Sequence, residues 1–232
     1  MRTLGIFAKQ PVPGRVKTRL ATDWGNERAA ALYECFIRDL LAKFVVVGDR
    51  RVIGFAPSTI EARQWFDTTT NQETGKAAWE LWPQPELDLG SRMANFFATW
   101  TESAAHRTIL IGSDSPTVPV AYLQQAWQLL EDNDCVLGPA TDGGYYLIGL
   151  RGTVQDFAAP FNDVEWSTSG VLAQTVARLK QHELSLGLLS PWYDVDSADA
   201  VETLTGHLAA LELAGDEHKL SATERFLRLD RG

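Results

Sequence analysis

Apolar residues in this chain come in short unbroken runs, separated by segments in which they recur at helical spacing. The runs at residues 3–8, 51–56, 108–112, 135–138 and 145–150 have strand length, and such continuous runs predict strands buried on both faces. Between the first two, Ala29, Leu32, Tyr33, Phe36, Ile37, Leu40 and Leu41 recur at three and four residues, which predicts a helix with Asn26 as its cap. Further helices are expected over residues 90–105, 120–130, 171–182 and 197–213, the last with Ser197 in capping position. Residues 67–88, rich in Thr, Asn, Gln, Gly and Pro, read as a long excursion with a short strand around residues 79–82. Strands alternating with helices in this way predict an α/β fold, a mostly parallel sheet covered by helices.

Composition narrows this picture. With 232 residues and 45% hydrophobic content, the chain fits one α/β domain spanning residues 1–232. A net charge of −9 argues against nucleic acid or an anionic membrane as the main partner, since both need a broad basic face. Basic residues must then act locally. Cys35 and Cys135 have neither metal-type nor redox-type spacing and read as reduced thiols packed as small apolar groups. The apolar run at residues 4–8 is too short for the core of a signal peptide, and no later segment reaches membrane-spanning length, so a cytoplasmic location is expected.

The segment Gly112-Ser113-Asp114-Ser115-Pro116 carries the most chemistry. It follows the strand at 108–112 directly, so it sets one carboxylate at the carboxyl edge of a sheet, where open α/β folds bind ligands. Asp114 reads as a metal ligand, with a helix cap ahead of residue 120 as the alternative. In Pro13-Gly14-Arg15-Val16-Lys17-Thr18-Arg19, three cations at alternating positions are spaced for successive phosphates, and Gly14 and the prolines set the backbone path. The loop is not a P-loop, because it lacks the second glycine before the lysine. In Asp194-Val195-Asp196 the carboxylates alternate along an extended segment, which predicts one as ligand and the other as helix cap.

Thr141-Asp142-Gly143-Gly144-Tyr145 reads either as a hairpin or as one wall of a site. Trp166 is the tryptophan best placed to stack on a base or sugar. Asp132-Asn133-Asp134 reads as a structural turn, and His106, His182, His207 and His218 fit no ligand spacing and read as surface helix-end residues.

These motifs, in this order, resemble the GT-A superfamily of nucleotide-diphospho-sugar transferases, and more narrowly its bacterial DUF2064 or glycosyltransferase A branch, similar to phospholactate guanylyltransferase. The matching segments are Phe7-Ala8-Lys9 with residues 13–20, Asp88-Leu89-Gly90-Ser91-Arg92-Met93, Gly112 to Pro116, Gly138 to Tyr146, and Asp194-Val195-Asp196-Ser197. The resemblance implies a Rossmann-like mixed sheet with a nucleotide at the carboxyl ends of the first strands. By motif position it implies that Arg15, Lys17 and Arg19, within the loop that holds Gly14 and Thr18, contact phosphates. Asp114 and Asp196, with Asp194 as the alternative to Asp196, would hold Mg²⁺ or Mn²⁺, and Asp142, Gly143, Gly144 and Tyr145 would line the acceptor side.

The expected function is a metal-dependent transfer from an activated nucleotide to a small acceptor. In the leading version, an acceptor phosphate attacks the α-phosphorus of a nucleoside triphosphate, with Lys17 and Asp114 as catalytic groups and no general base needed. In a glycosyl version the donor is a nucleotide sugar, and Asp142 serves as base toward an acceptor hydroxyl. The third reading is a non-catalytic nucleotide-binding domain.

Overall fold

The computed structural model of the chain describes residues 1–75, 78–216 and 220–229, so the reading of His218 lies outside the described residues. At its centre is a seven-stranded sheet of order β3-β2-β1-β4-β6-β5-β7. The strands are β1 (Arg2–Lys9), β2 (Arg50–Ala56), β3 (Glu80–Pro83), β4 (Arg107–Ile111), β5 (Cys135–Pro139), β6 (Tyr145–Arg151) and β7 (Leu186–Leu188). Neighbours run parallel except at β6, which is antiparallel to both β4 and β5. The fold is therefore the expected α/β one, a mixed and mostly parallel Rossmann-like sheet.

Helices cover both faces: α1 (Thr18–Trp24), α2 (Asn26–Phe44), α3 (Ile60–Thr74), α4 (Leu89–Trp100), α5 (Val120–Leu129), α6 (Val171–Gln181), α7 (Ala198–Ala214) and α8 (Ser221–Leu229). The strand runs are continuous in the sequence because each face has its own core. Leu4, Ile6 and Ala8 of β1 join Leu32, Phe36 and Leu40 of α2 in one cluster. On the other face, Phe7 packs with Val52, Leu110 and the α4 residues Phe96 and Phe97. Each fully buried Leu or Phe contributes about 2 kcal/mol through the apolar area it withdraws from water.

Several local expectations need correction. Asn26 is the first residue of α2 rather than its cap, and Gly25 stands in the cap position with no side-chain bond. Residues 67–74 are not part of an excursion but the second half of α3, whose start is capped by Thr59 accepting from the Ala62 N–H. Two of that helix's four buried residues are threonines, Thr69 and Thr70, so its buried face carries little apolar signal. Helix α4 stops at Trp100, and the chain turns through residues 101–106 into β4. Helix α8 also lacked a local signal, because Asp39 of α2 accepts the N–H groups of Ala222 and Thr223 at its start.

The sheet order positions the site. From β1 the strands step to β2 and β3 on one side, and β4 then joins β1 on the other, which makes the gap between β1 and β4 the topological switch point. An isolated parallel bridge between Ala140 and Trp192 extends this edge and brings the segment carrying Asp194 and Asp196 alongside. Among the described residues no helix is long and apolar enough to cross a membrane.

Candidate active site

Two loops meet at the carboxyl ends of β1 and β4, and Tyr33 of α2 joins them. Its buried hydroxyl accepts the Lys9 N–H at 3.1 Å and lies 2.6 Å from Ser113 Oγ. Burial, reinforced by the Asp114 charge, raises the phenol's pKa, so it stays protonated. From the other side, the Trp192 N–H reaches Pro139 O and the Val195 N–H reaches Asp114 O, both at 2.9 Å. Val195 is fully buried, and the aspartates flanking it diverge. Asp196 turns to Lys17 and Asp194 to the Ser115 hydroxyl. Neither caps α7, because Ser197 does so by accepting the Ala200 N–H. Asp114 is no cap either, since α5 starts after Pro119 with no side-chain capping bond.

Lys17 holds this centre together. Its Nζ donates to the Asp114 carboxylate, to Asp196 Oδ1 at 2.6 Å and to Val195 O at 2.8 Å, which uses all three ammonium protons. Its side chain is 3% exposed, whereas those of Asp114 and Asp196 are 45% and 34% exposed. Burial alone would lower the lysine pKa; the two carboxylates reverse this and hold it above the ordinary value. The Tyr33 and Phe36 rings add cation–π contacts at 5.3 and 5.6 Å. The backbone of Lys17 is left-handed, at φ 48°, a conformation that costs a non-glycine residue about 1 kcal/mol. Lys17, expected at a phosphate, here clamps two carboxylates.

A cleft runs on either side of the clamp, in two halves of about 480 and 650 Å³ that share Phe7, Lys9, Arg19, Asp114, Trp166 and Asp196. The first half adds Arg15, Thr18, Gln84 and Arg92 and is basic. The second adds Asp142, Gly144, Tyr145, Tyr146 and Asp194 and is acidic. Lys9, Arg15 and Arg19 are exposed in the first half and form no ion pair among the described residues. Gly14 lies outside the lining and turns the loop at φ 75°.

In the acidic half, Thr141 to Gly144 form the hairpin between β5 and β6, and Asp142 Oδ1 accepts the Gly144 N–H at 2.9 Å. The turn is therefore a hairpin, and its Asp142 and Gly144 line the cleft. Gly143 is required by its surroundings: at φ 94°, a side-chain carbon there would stand 2.3 Å from Ser169 O. Burial pushes the Asp194 pKa up to about 6, against the Ser115 hydrogen bond and with help from the Asp114 and Asp142 charges. Trp166 lies against Gly90 at the start of α4, where an added side-chain carbon would come within 2.9 Å of its ring.

Asp114 and Asp196 converge on one cation, the Lys17 ammonium, each with one oxygen. Hard carboxylate oxygens on one point suit the Mg²⁺ type of site, which combines one or two carboxylates with water and substrate phosphate. Among the described residues no group of three or more His, Cys, Asp or Glu could hold an ion, so Asp194 is not gathered with the other two.

Lys9, Gln84 and Arg92 line the cleft although none was expected to contact a ligand; Lys9 and Arg92 stand within segments that carry the family resemblance. Arg92 did leave a signal, a charge on the helical stripe that carries Leu89, Met93 and Phe96. His106, His182 and His207 stay outside the cleft lining: His106 Nδ1 accepts the Glu102 N–H, and His207 Nδ1 lies 2.7 Å from the Tyr193 hydroxyl. Asp134 serves as a structural turn residue, holding Ser185.

The family described as an uncharacterised protein conserved in bacteria, DUF2064, matches residues 50–168, just over half of the chain. The structure provisionally named a nucleotide-diphospho-sugar transferase from Desulfovibrio desulfuricans G20 is 29% identical, with a TM-score of 0.84 over 98% of this chain and 97% of that one. A Methanothermobacter nucleotidyl transferase is 9% identical with a TM-score of 0.58, over 90% and 98% of the two chains. A CMP:2-keto-3-deoxy-manno-octonic acid synthetase complexed with CTP is 12% identical with a TM-score of 0.50, over the same shares. The last two likenesses carry the fold alone. No curated protein matches the sequence.

Proposed function

The chain belongs to the DUF2064 family, and from that premise we propose that it is a transferase acting on an activated nucleotide, with transfer of a nucleotidyl group from a nucleoside triphosphate to a small phosphorylated acceptor as the preferred reaction. The observation that carries this reading is the row of exposed cations without acidic partners, Lys9, Arg15 and Arg19, beside the Asp114 and Asp196 carboxylates at the switch point of the sheet. A polyphosphate is the ligand whose charge such a row complements.

In this reaction an acceptor phosphate oxygen forms a bond to the α-phosphorus while the bond to the bridging oxygen breaks, and that oxygen leaves with pyrophosphate. The nucleophile is already ionised, so no base is required. Lys9, Arg15 and Arg19 would neutralise the charge that gathers on pyrophosphate. Lys17 would hold Asp114 and Asp196 at fixed separation and restrain their mutual repulsion. Those two carboxylates would hold Mg²⁺ or Mn²⁺, which when bound supplies further neutralisation of phosphate charge. Trp166 borders both halves and would separate the solvent from the reacting groups.

One observation favours a second reading, glycosyl transfer from a nucleotide sugar. Asp142 is exposed in the acidic half with one oxygen held by Gly144, so its other oxygen is available as a base toward an acceptor hydroxyl.

Thermal unfolding with the four nucleoside triphosphates and with nucleotide sugars, each with and without Mg²⁺ or Mn²⁺, separates the readings. A ligand at a hundred times its Kd stabilises the fold by about 2.7 kcal/mol. Stabilisation by one triphosphate, with pyrophosphate released on adding phosphorylated acceptors, supports nucleotidyl transfer. Stabilisation by one nucleotide sugar supports glycosyl transfer, and binding without turnover supports a nucleotide-binding domain. If no nucleotide shifts the transition at saturation, the nucleotide site is refuted.

A further inference from the structure

Arg92 stands in the first turn of α4 and lines the basic half of the cleft together with Leu89 and Trp166. Its Nη1 donates to Gln84 Oε1 at 3.0 Å, while its Nε is buried with no hydrogen-bond partner among the described residues. No carboxylate among the described residues forms an ion pair with it. Asp88, the nearest acid along the chain, is occupied by the N–H and hydroxyl of Ser91. Burial accordingly lowers the Arg92 pKa, with only the Asp88 charge opposing. A half-buried guanidinium that has given up part of its water without an ion-pair partner among the described residues is costly.

Gln84 fixes where that guanidinium points. Its side chain is almost wholly buried, its Nε2 donates to Gly54 O at 2.6 Å, and its backbone N–H donates to Phe55 O at 2.9 Å. Both bonds run to β2, so the amide cannot turn, and its Oε1 holds the Arg92 fork from one side. Nη2, which forms no hydrogen bond among the described residues, remains for a ligand.

We propose that Arg92 recognises an oxyanion of the substrate, a phosphate or carboxylate group, in the basic half of the cleft, and that Gln84 is its positioning residue. This rests on the transferase reading and deepens it, because it adds a specificity-determining contact beside Gln84 to the exposed cations of the first loop. A planar guanidinium offers such a group two N–H donors, and Phe7, Leu89 and Trp166 supply apolar surface to the same half of the cleft.

The test is calorimetric titration with pyrophosphate and, separately, with malonate, on the wild type, Arg92→Met, Arg92→Lys, Gln84→Ala, the double variant Arg92→Met with Gln84→Ala, and Arg15→Ala, after thermal unfolding establishes that each variant is folded. Pyrophosphate affinity is expected to fall at least tenfold in Arg92→Met, and Arg92→Lys should recover only part of it, since an ammonium lacks the fork. Gln84→Ala should weaken binding in the wild type and add nothing in the Arg92→Met background, an outcome that a merely structural role would not produce. If malonate binds through Arg92 and pyrophosphate does not bind, the anion is a carboxylate: the assignment of Arg92 is supported and the polyphosphate reading fails. If pyrophosphate binds the wild type and Arg92→Met alike while Arg15→Ala weakens it, the assignment is overturned and the transferase reading stands. If neither anion binds the wild type, both are overturned.

Discussion

The ammonium of Lys17 lies 2.6 Å from Oδ1 of Asp196, across a separation of 179 positions in the chain. The same nitrogen reaches Asp114, so one buried cation joins three segments from the beginning, middle and end of the fold. The centre of the cleft is therefore assembled by an ion pair rather than by any one loop.

Lys17→Met removes the charge that keeps those carboxylates together. Loss of one partner of a buried pair is usually severe, but Asp114 and Asp196 retain a third to nearly half of their side-chain exposure, so water takes up part of the load. A loss of about 1–3 kcal/mol is expected. Urea unfolding at pH 7 measures it, and an unchanged midpoint would show that the clamp carries no stability.

Lys43 predicts a pH dependence. It is buried, donates to Pro116 O at 3.2 Å, and burial lowers its pKa to about 8, against the Asp39 and Asp216 charges. The unfolded lysine keeps its proton to about pH 10.4, so between pH 8 and that value the unfolded state binds more protons and stability rises with pH. Below pH 8 the cost of the buried charge is complete. Lys43→Met should flatten this rise and stabilise the protein at pH 7 by about 1–3 kcal/mol, allowing for the lost hydrogen bond. Unfolding midpoints at pH 7, 8.5 and 10 decide it, and a variant that keeps the wild-type slope refutes it.

Tyr33→Phe should cost about 1–2 kcal/mol, because it leaves the Lys9 N–H and the Ser113 hydroxyl without their buried partner. Amide hydrogen exchange gives a local readout. The Lys9 N–H is expected to exchange faster in the variant, and equal rates would mean that Tyr33 does not hold the loop.

Gly143→Ala combines a left-handed backbone with a backbone atom, Ser169 O, 2.3 Å from the new carbon. A loss of about 2–4 kcal/mol is expected. Gly144→Ala is the matched control, since its added carbon meets only Asp142 Oδ1, at 3.2 Å. Equal melting temperatures for the two variants would contradict the close approach.

Five strands were legible because a strand buried on both faces leaves a continuous apolar run, and all five runs became central or near-central strands, while the short strand expected around residues 79–82 is the edge strand β3. The helices with clear apolar stripes were legible for the same reason, whereas α3 buries two threonines and α8 is capped by Asp39 from 183 positions away. The site was half legible. Asp114 at a strand end and the cations of the first loop announce themselves locally, since turn chemistry and charge spacing are properties of near neighbours.

The sequence by itself thus determined the α/β class, the parallel core and the motifs that meet at one sheet edge. Only the tertiary structure decided that Lys17 faces carboxylates, that Asp196 meets it while Asp194 turns to Ser115, and that Arg92 meets Gln84. The reason is physical: spacing sets which way a side chain leaves its own helix or strand, but what it meets depends on strand order and on packing between segments far apart in the chain.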